Sequence, residues 1–547
     1  MNQQKKQFQR KIVYLVIAVV LLFPMYMLSR PATSGTADGG GGTPGGLLAQ
    51  ARSESDLSQA DLGGIDPAGS AMKLSMLGLH GVASQVLWAK SHSYKDREDW
   101  TGYNAALEQI TKLQPNFSSV WINQGHNLSY NISVEFDDYR DRFHYVIKGI
   151  ELLKKGVRHN QRDPKLVNEL AFYLGNKIGR SDEHVEFREL FRSPAYDDFY
   201  NTETMQGTLH VGRPTDPRLR DNWLVSNWWY EQAEMLIDKL GAPYKGLNPV
   251  VFFSNSPKAQ MQHGVAIEEE GVFGERARQA WQAGSDAWDD FARRRLPSTL
   301  GFAIALGDLE KHRELEQGLL AELDALAPGV REEIIAEKRA ALTDQQRAAL
   351  DKSPADRTPD EEEYAYVAER ATHVSVEEVL QRIDDPATLE QARRLADRIR
   401  VQRERSSMIE KQRGVVNFEA WKTRSSVEQL PSTLAAREAI YQGDQAYQES
   451  NLSEALNLYN KGIYAWSETL EQYPEMLGES AMIHDMIDMM KKYQTILGQN
   501  NQPPPSPFPL QSVIDVYFAR GMHLQEDQPL RSDLIPPSQQ PVGLQDE

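Results

Sequence analysis

The chain has 547 residues, enough for about three or four domains, and it contains no cysteine. The missing cysteine excludes disulfides, thiolate metal sites, cysteine-held iron–sulfur clusters and covalently attached c-type haem. The formal net charge is −18, from 60 basic and 78 acidic residues. A surface this acidic repels phosphate backbones, so no nucleic-acid partner is expected.

The N-terminal segment is predicted to anchor the chain in a membrane. Residues 12–28 (IVYLVIAVVLLFPMYML) carry no charged side chain, and their length is at the short end of what spans a bilayer. Four basic residues precede this transmembrane anchor, so residues 1–11 are expected to form a cytoplasmic tail. A cleaved signal peptide is the alternative, but no Ala-x-Ala pattern follows Leu28. The expected location is the inner (cytoplasmic) membrane, single-pass, with the bulk of the chain extracytoplasmic or periplasmic.

The next segments are predicted to be a linker and then a helical domain. Residues 29–70 include SGTADGGGGTPGG, which is typical of a flexible Gly-rich linker. In residues 71–309, apolar side chains recur at three- and four-residue intervals with no strand-like alternation, which indicates helices. PVVFFSN at 249–255 is the best strand candidate, and it stands alone.

Three further segments follow. Residues 310–424 are rich in charge and poor in apolar side chains, which predicts a charged helical hairpin or coiled-coil-like region. Ordinary helical composition returns over residues 434–498. Residues 499–547 open with QNNQPPPSPFPL and are predicted to be a Pro-rich disordered tail, apart from a short helix in QSVIDVYFARGMHL.

Spacings of proline, aromatic and small residues recur along the chain. In LQPNFSSVWINQGH, Trp121 follows Pro115 by six residues and Gly125 follows it by ten. A second stretch places small or aromatic residues at offsets 0, 3, 12, 16 and 19, namely Gly443, Ala446, Ala455, Tyr459 and Gly462. These motifs resemble those of the tetratricopeptide repeat (TPR) family in divergent form. Ala439 and Gln442 depart from the family's usual tryptophan and leucine.

The resemblance implies an all-α, irregular solenoid of TPR-like helical hairpins with a concave groove lined by the first helix of each hairpin. Carried over to this chain, two sets of positions form the expected partner-binding groove: Ser119, Ile122, His126, Ser129 and Tyr130 in one repeat, and Arg437, Ile440, Asp444, Tyr447 and Gln448 in the other. The layout also resembles membrane-anchored TPR-like proteins of planctomycete-type bacteria.

The expected function is that of a membrane-anchored extracytoplasmic scaffold that binds a protein or peptide partner in this groove. No catalytic residue, cofactor or metal is expected, and the partner's identity and the oligomeric state stay open. The first alternative is an all-α envelope enzyme acting on glycans. Its cleft would be the aromatic-rich centre from Phe187 to Tyr230, with Asp197, Asp198 or Glu203 as acids. The second alternative is a structural envelope spacer.

Two other clusters have competing interpretations. Asp137, Asp141 and His144 are predicted to share a helix face, which allows a metal or acid–base site. A solvated surface with internal ion pairs is the favoured interpretation. Met482, Met486, Met489 and Met490 are predicted to line one helix face as core, with a soft partner-binding groove as the lesser alternative. Trp281 and Trp288, seven residues apart, are also predicted to be core.

Overall fold

The computed structural model describes residues 79–199, 220–244, 246–299, 301–478 and 480–522, with a few isolated positions before residue 52. Helices make up nearly all the regular structure in these ranges, so the prediction of an all-α fold is confirmed. The chain divides into two compact units: unit 1 comprises Met1–Trp288 and Ala420–Glu547, and unit 2 comprises Asp289–Glu419.

The first helices of the described chain are α1 (His80–Lys95), α2 (Trp100–Leu113), α3 (Ser118–His126), α4 (Tyr139–His159), α5 (Pro164–Phe172), α6 (His184–Phe191), α7 (Asn222–Asp238), α8 (Pro249–Glu269) and α9 (Glu275–Arg293). Two short strands follow, β1 (Leu296–Pro297) and β2 (Ala303–Ile304). The remaining helices are α10 (Leu309–Leu326), α11 (Val330–Ala340), α12 (Asp344–Asp351), α13 (Pro359–Thr372), α14 (Val376–Gln381), α15 (Pro386–Val416), α16 (Phe418–Glu428), α17 (Pro431–Gln448), α18 (Leu452–Gln472), α19 (Ser480–Gln499) and α20 (Gln511–Ala519).

The starts of several helices follow directly from local sequence. The side chain of Asp163 accepts hydrogen bonds from the backbone N–H groups of Lys165 and Leu166, and Pro164 occupies the first helical position of α5. Asp221 caps α7 in the same way. These side chains satisfy backbone donors that have no partner within the helix, so they fix where the helices begin.

The strand candidate at 249–255 is not a strand, because these residues form the first turns of α8. Asn248 caps this helix by accepting a hydrogen bond from the N–H of Val250, and Pro249 stands at its first position. A short apolar run does not by itself distinguish a buried strand from a buried helix. Here the cap and the proline start a helix, and Phe252 and Phe253 are buried in it.

Close contacts hold α3 against α4. The indole of Trp121 donates to the carbonyl of Pro115 at 2.8 Å, which ties the start of α3 to the turn before it. A Cβ built on Gly156 would lie 2.7 Å from the Trp121 ring, and one built on Gly125 would lie 2.9 Å from Leu153. Glycine is therefore needed at both positions for the two helices to approach this closely.

Helices α17 and α18 also pack closely, through glycines of the second predicted repeat. A Cβ on Gly443 would lie 2.7 Å from Tyr459, and one on Gly462 would lie 2.5 Å from Ile440. The core of this region extends into α19, whose Met482, Met486, Met489 and Met490 are all buried as predicted.

The first part of the predicted disordered tail belongs to the same core. The short helix expected in this segment is present as α20. Phe508, Leu510, Ile514 and Tyr517 are buried in the same hydrophobic cluster as the methionines of α19. Burial of these apolar side chains offsets the entropy cost of ordering the chain, so the prediction of disorder from residue 499 is wrong as far as residue 522.

Unit 2 contains most of the charged region predicted at 310–424. Its long helices α10 and α15 run antiparallel, because Arg313 pairs with Glu410 near one end and Glu322 with Arg398 near the other. Leu319, Leu323, Val379, Ala392 and Ile399 are among the residues of its core. Strands β1 and β2 form an antiparallel pair that no alternation of apolar residues predicted.

The predicted transmembrane anchor, residues 12–28, and the linker, residues 29–70, lie outside the described residues apart from isolated positions. Across the part of the chain that the structure describes, every helix is too short or too polar to cross a bilayer.

Candidate functional site

The first set of predicted groove residues lies on α3 and on its continuation, a π-helical turn at Asn127–Ile132. Ser119 and His126 are exposed, and Ile122 and Tyr130 are half-buried. Ser129 does not line a groove: it is fully buried, and its hydroxyl donates to the Val146 carbonyl of α4 at 3.1 Å. Assigning Ser129 to the groove is therefore corrected by the structure.

His126 and Tyr130 form a stacked pair with a lysine nearby. Their ring centroids are 4.8 Å apart, and the Lys177 ammonium lies 4.6 Å from the Tyr130 ring. Burial, together with Lys95 and Lys177, lowers the pKa of His126, so its imidazole is neutral at pH 7. The cluster offers a polar aromatic surface.

The second set of predicted groove residues lies on α17, and three of its members line a pocket. Arg437, Ile440 and Asp444 face a half-open pocket of about 400 Å³ in unit 1. Tyr447 lies outside this lining, and its hydroxyl accepts a hydrogen bond from the Gln499 side chain at 3.3 Å. Gln448 is exposed at the end of the helix.

The pocket brings together residues from five helices and one loop. Residues of α8, α16, α17, α18 and α19, together with Phe273 after α8, form its wall. No residue of α3 belongs to this described lining, so the two predicted sets of groove residues form two separate surfaces.

Aromatic and methionine side chains form the apolar part of the pocket. Phe273 and Tyr441 meet edge to face with ring centroids 5.6 Å apart. Gly271 lies beneath Tyr441 with a φ of +79°, and a Cβ there would lie 2.7 Å from the tyrosine ring. Trp466 and Met489 add further apolar surface. Methionine and aromatic side chains suit a surface that adapts to the shape of a bound segment.

A buried ion cluster lies at one side of the pocket. The Arg437 guanidinium donates to both carboxylate oxygens of Glu428, which is fully buried. Arg437 also lies 3.5 Å from Glu268 and stacks over the Trp466 ring at 5.1 Å. Arg424 approaches Glu428 to 3.7 Å. Arg437 is thus held by α8 and α16, so its main role is structural.

A second ion pair belongs to the same pocket lining. Asp444 accepts a hydrogen bond from the Tyr459 hydroxyl and lies 3.1 Å from the Lys492 ammonium. Burial, followed by the hydrogen bond to Asp444, raises the pKa of Tyr459 and keeps its hydroxyl protonated as a donor. The position of Asp444 is thereby fixed from two helices.

Glu268 is a buried carboxyl group of the pocket lining. The indole of Trp281 donates to it at 2.7 Å. Burial raises its pKa from 4.5 to about 8; Arg437 opposes the shift and Glu428 adds to it. The folded state therefore holds a proton that the unfolded chain releases above pH 4.5, so Glu268 makes unit 1 less stable as the pH rises towards 8.

We predict that Glu268→Gln, which mimics the protonated form, raises the melting temperature relative to the native chain increasingly from about pH 5 to about pH 9. Thermal unfolding followed by circular dichroism at several pH values measures this difference. The control Glu186→Gln makes the same change at an exposed position of α6 outside the pocket lining, and its melting-temperature difference at each pH is the baseline for Glu268→Gln. A Glu268→Gln difference that does not vary with pH would contradict the assignment.

The aromatic-rich centre from Phe187 to Tyr230 is the next predicted site. Phe187, Phe191, Trp223, Trp229 and Tyr230 are buried, so these rings of the aromatic centre belong to the core and cannot stack on a sugar. The acids proposed there, Asp197, Asp198 and Glu203, lie outside the residues whose side chains the structure describes.

Asp137 precedes α4, which begins at Tyr139, so its predicted place on one helix face with Asp141 and His144 is wrong. Among the described residues, no group of three or more histidine, aspartate or glutamate side chains is placed to hold a metal ion.

Sequence reasoning missed the part of the pocket that lies far from α17 along the chain. Glu268, Glu269 and Phe273 come from α8 and the loop after it, and Asp485 and Asp488 from α19. The acidic run at 268–270 and the methionine spacing in α19 were the available signals. Neither indicates that the two segments meet.

No protein-family model matches this chain, and no curated protein sequence matches it significantly.

Proposed function

We propose that this chain is a binding protein that holds a segment of another protein in the pocket beside α17. The single observation that carries the proposal is that Arg437, Ile440 and Asp444, three positions of the expected groove, line a pocket with aromatic and methionine walls. A half-open pocket of about 400 Å³ is large enough for one or two side chains of a docked peptide.

We further propose that the chain is an irregular solenoid of TPR-like hairpins, held at the outer face of the cytoplasmic membrane by residues 12–28. Support comes from the glycine contacts in the α3–α4 and α17–α18 pairs, where small residues stand at the helix contacts as the repeat family requires. The acidic composition supports a protein partner over a nucleic acid.

The test is selection of peptides from a phage-displayed random library on the full chain in detergent, followed by fluorescence anisotropy of the selected peptides. Phe273→Ala removes an aromatic side chain from the pocket wall and should weaken binding by about tenfold or more. Tyr366→Ala removes an exposed aromatic side chain in unit 2 and should leave the affinity unchanged.

A third variant distinguishes the two predicted surfaces. His126→Ala alters the α3 cluster without touching the pocket lining, so it should also leave the affinity unchanged. Binding that is lost in His126→Ala and kept in Phe273→Ala would move the site to α3. A selection that yields no binding peptide would contradict the binding function itself.

A further inference from the structure

The pocket has more acidic than basic side chains. Among its described lining residues are five carboxyl groups and three basic groups. Glu428, which is buried behind the lining, adds a further carboxylate to the same region. The whole chain also carries a net charge of −18, which attracts cations over long range.

The basic groups of the pocket are already paired. Arg437 binds both oxygens of Glu428, and Arg424 lies 3.7 Å from the same carboxylate. Lys492 lies 3.1 Å from Asp444. These three cations are therefore occupied, and an anionic ligand would have to compete with carboxylates of the protein for each of them.

Three carboxyl groups stay open to a ligand, namely Glu269, Asp485 and Asp488. The side chain of Glu269 is 55% exposed, and that of Asp488 is 69% exposed. Asp485 is also exposed, and the two arginines that face it, Arg424 and Arg437, are both engaged by Glu428. The nearest partners of the other two are outside the pocket lining: His184 lies 3.8 Å from Glu269, and Lys491 lies 3.4 Å from Asp488.

We infer that the protein segment bound in the pocket carries a lysine or arginine side chain, whose charged end lies against Asp485 and Glu269. This inference rests on the proposed binding function and specifies its ligand class. Lysine and arginine combine a cation with an apolar stem. Met489, Tyr441 and Phe273 of the same lining supply apolar surface for the stem, and Glu269 and Asp485 supply carboxylates for the cation.

The inference predicts how binding depends on pH. The surrounding pocket walls partly desolvate Glu269 and Asp485 and raise the pKa of each above its ordinary value of 4.5 or 3.8. The charged groups that face them from the packed helices are His184, Arg188, Arg424, Glu428, Arg437 and Asp488. A bound cation favours the ionised carboxylates, so binding releases protons and the affinity rises as the pH is raised above 4.5.

The test uses the full chain in detergent and four pools of fluorescein-labelled short peptides. The pools are randomised at the flanking positions and fixed at the centre as lysine, arginine, glutamine or glutamate. Anisotropy titrations should show the lysine and arginine pools binding about tenfold more tightly than the glutamine pool, with the glutamate pool weakest. The preference should weaken at high salt and low pH.

Two matched variants locate the charge. Asp485→Asn removes one carboxylate from the pocket and should reduce the affinity for the lysine pool to that for the glutamine pool. Asp286→Asn removes one carboxylate from an exposed position of α9 outside the pocket and should leave the preference intact. Melting temperatures of both variants verify that they fold.

Different outcomes would contradict the cationic ligand and the binding function itself. Pools that bind equally well, or an unchanged preference in Asp485→Asn, would overturn the cationic ligand while the binding function stands. Failure of every pool to bind would overturn both. If spermidine displaces the lysine pool and binds as tightly as these peptides do, the flanking residues add nothing to the affinity. The ligand is then a free polyamine and not a peptide.

Discussion

Replacing Arg437 by leucine is expected to destabilise unit 1 by about 3–5 kcal/mol, although Arg437 was predicted to be a groove residue that binds a partner. Leucine removes the guanidinium that donates to both oxygens of Glu428. Glu428 is fully buried, and its other basic neighbour, Arg424, is 3.7 Å away. An unpaired carboxylate in that position bears most of its desolvation cost without compensation.

A double variant distinguishes loss of the ion pair from loss of packing. Adding Glu428→Gln to Arg437→Leu removes the buried negative charge and should recover a large part of the lost stability. Urea unfolding followed by tryptophan fluorescence gives the free energies, and Trp466 beneath the guanidinium is a suitable local probe. If the stability losses of the single variants Arg437→Leu and Glu428→Gln simply add in the double variant, Arg437 stabilises the fold by packing alone.

A second large effect is expected at Asp221, where Asp221→Asn should cost about 3–5 kcal/mol. Asp221 and Arg188 are both buried and lie 2.7 Å apart. His263 approaches the other oxygen of Asp221 to 3.2 Å. Burial opposes ionisation of Asp221, but His263 and Arg188, followed by Arg192, outweigh it and hold the pKa well below its ordinary range. Asparagine keeps the size and loses the charge.

A second capping aspartate, Asp99, serves as the control that separates helix capping from the buried ion pair. Asp221 caps α7, and asparagine caps a helix as well as aspartate does, so the cap itself survives the substitution. Asp99 caps α2 at an exposed position, and Asp99→Asn should change the free energy of unfolding by less than about 0.5 kcal/mol. Equal effects of the two substitutions in urea unfolding would show that the buried pair contributes nothing beyond capping.

Local sequence patterns predicted those features of the fold that depend on residues close together along the chain. The offsets of Gly443, Tyr459 and Gly462 predicted a close helix pair, and α17 and α18 meet at those residues. The same spacing placed Arg437 and Asp444 on the side that lines the pocket. A helix has a fixed period, so residues several positions apart can be assigned to one face without knowledge of the fold.

The groove prediction failed at Ser129, where the helical period changes. Ser129 was assigned to the groove from the repeat family's positions on a regular α-helix, but Asn127–Ile132 forms a π-helical turn. The extra residue in such a turn rotates the following side chains, and Ser129 then points at Gly149 of α4. Asp485 was missed for another reason: it reaches the pocket through packing of α19 on distant helices, which no local pattern encodes.

The order of the two units along the chain has a consequence for how the pocket forms during synthesis. Glu268 precedes unit 2 in the sequence and Arg437 follows it, so the ribosome makes the whole of Asp289–Glu419 before the second wall of the pocket exists. Loop closure across such a long segment costs entropy and makes this contact a late event. Until α17 and α19 emerge, the apolar face of α8 has no partner from them, which leaves the nascent chain open to aggregation or chaperone binding.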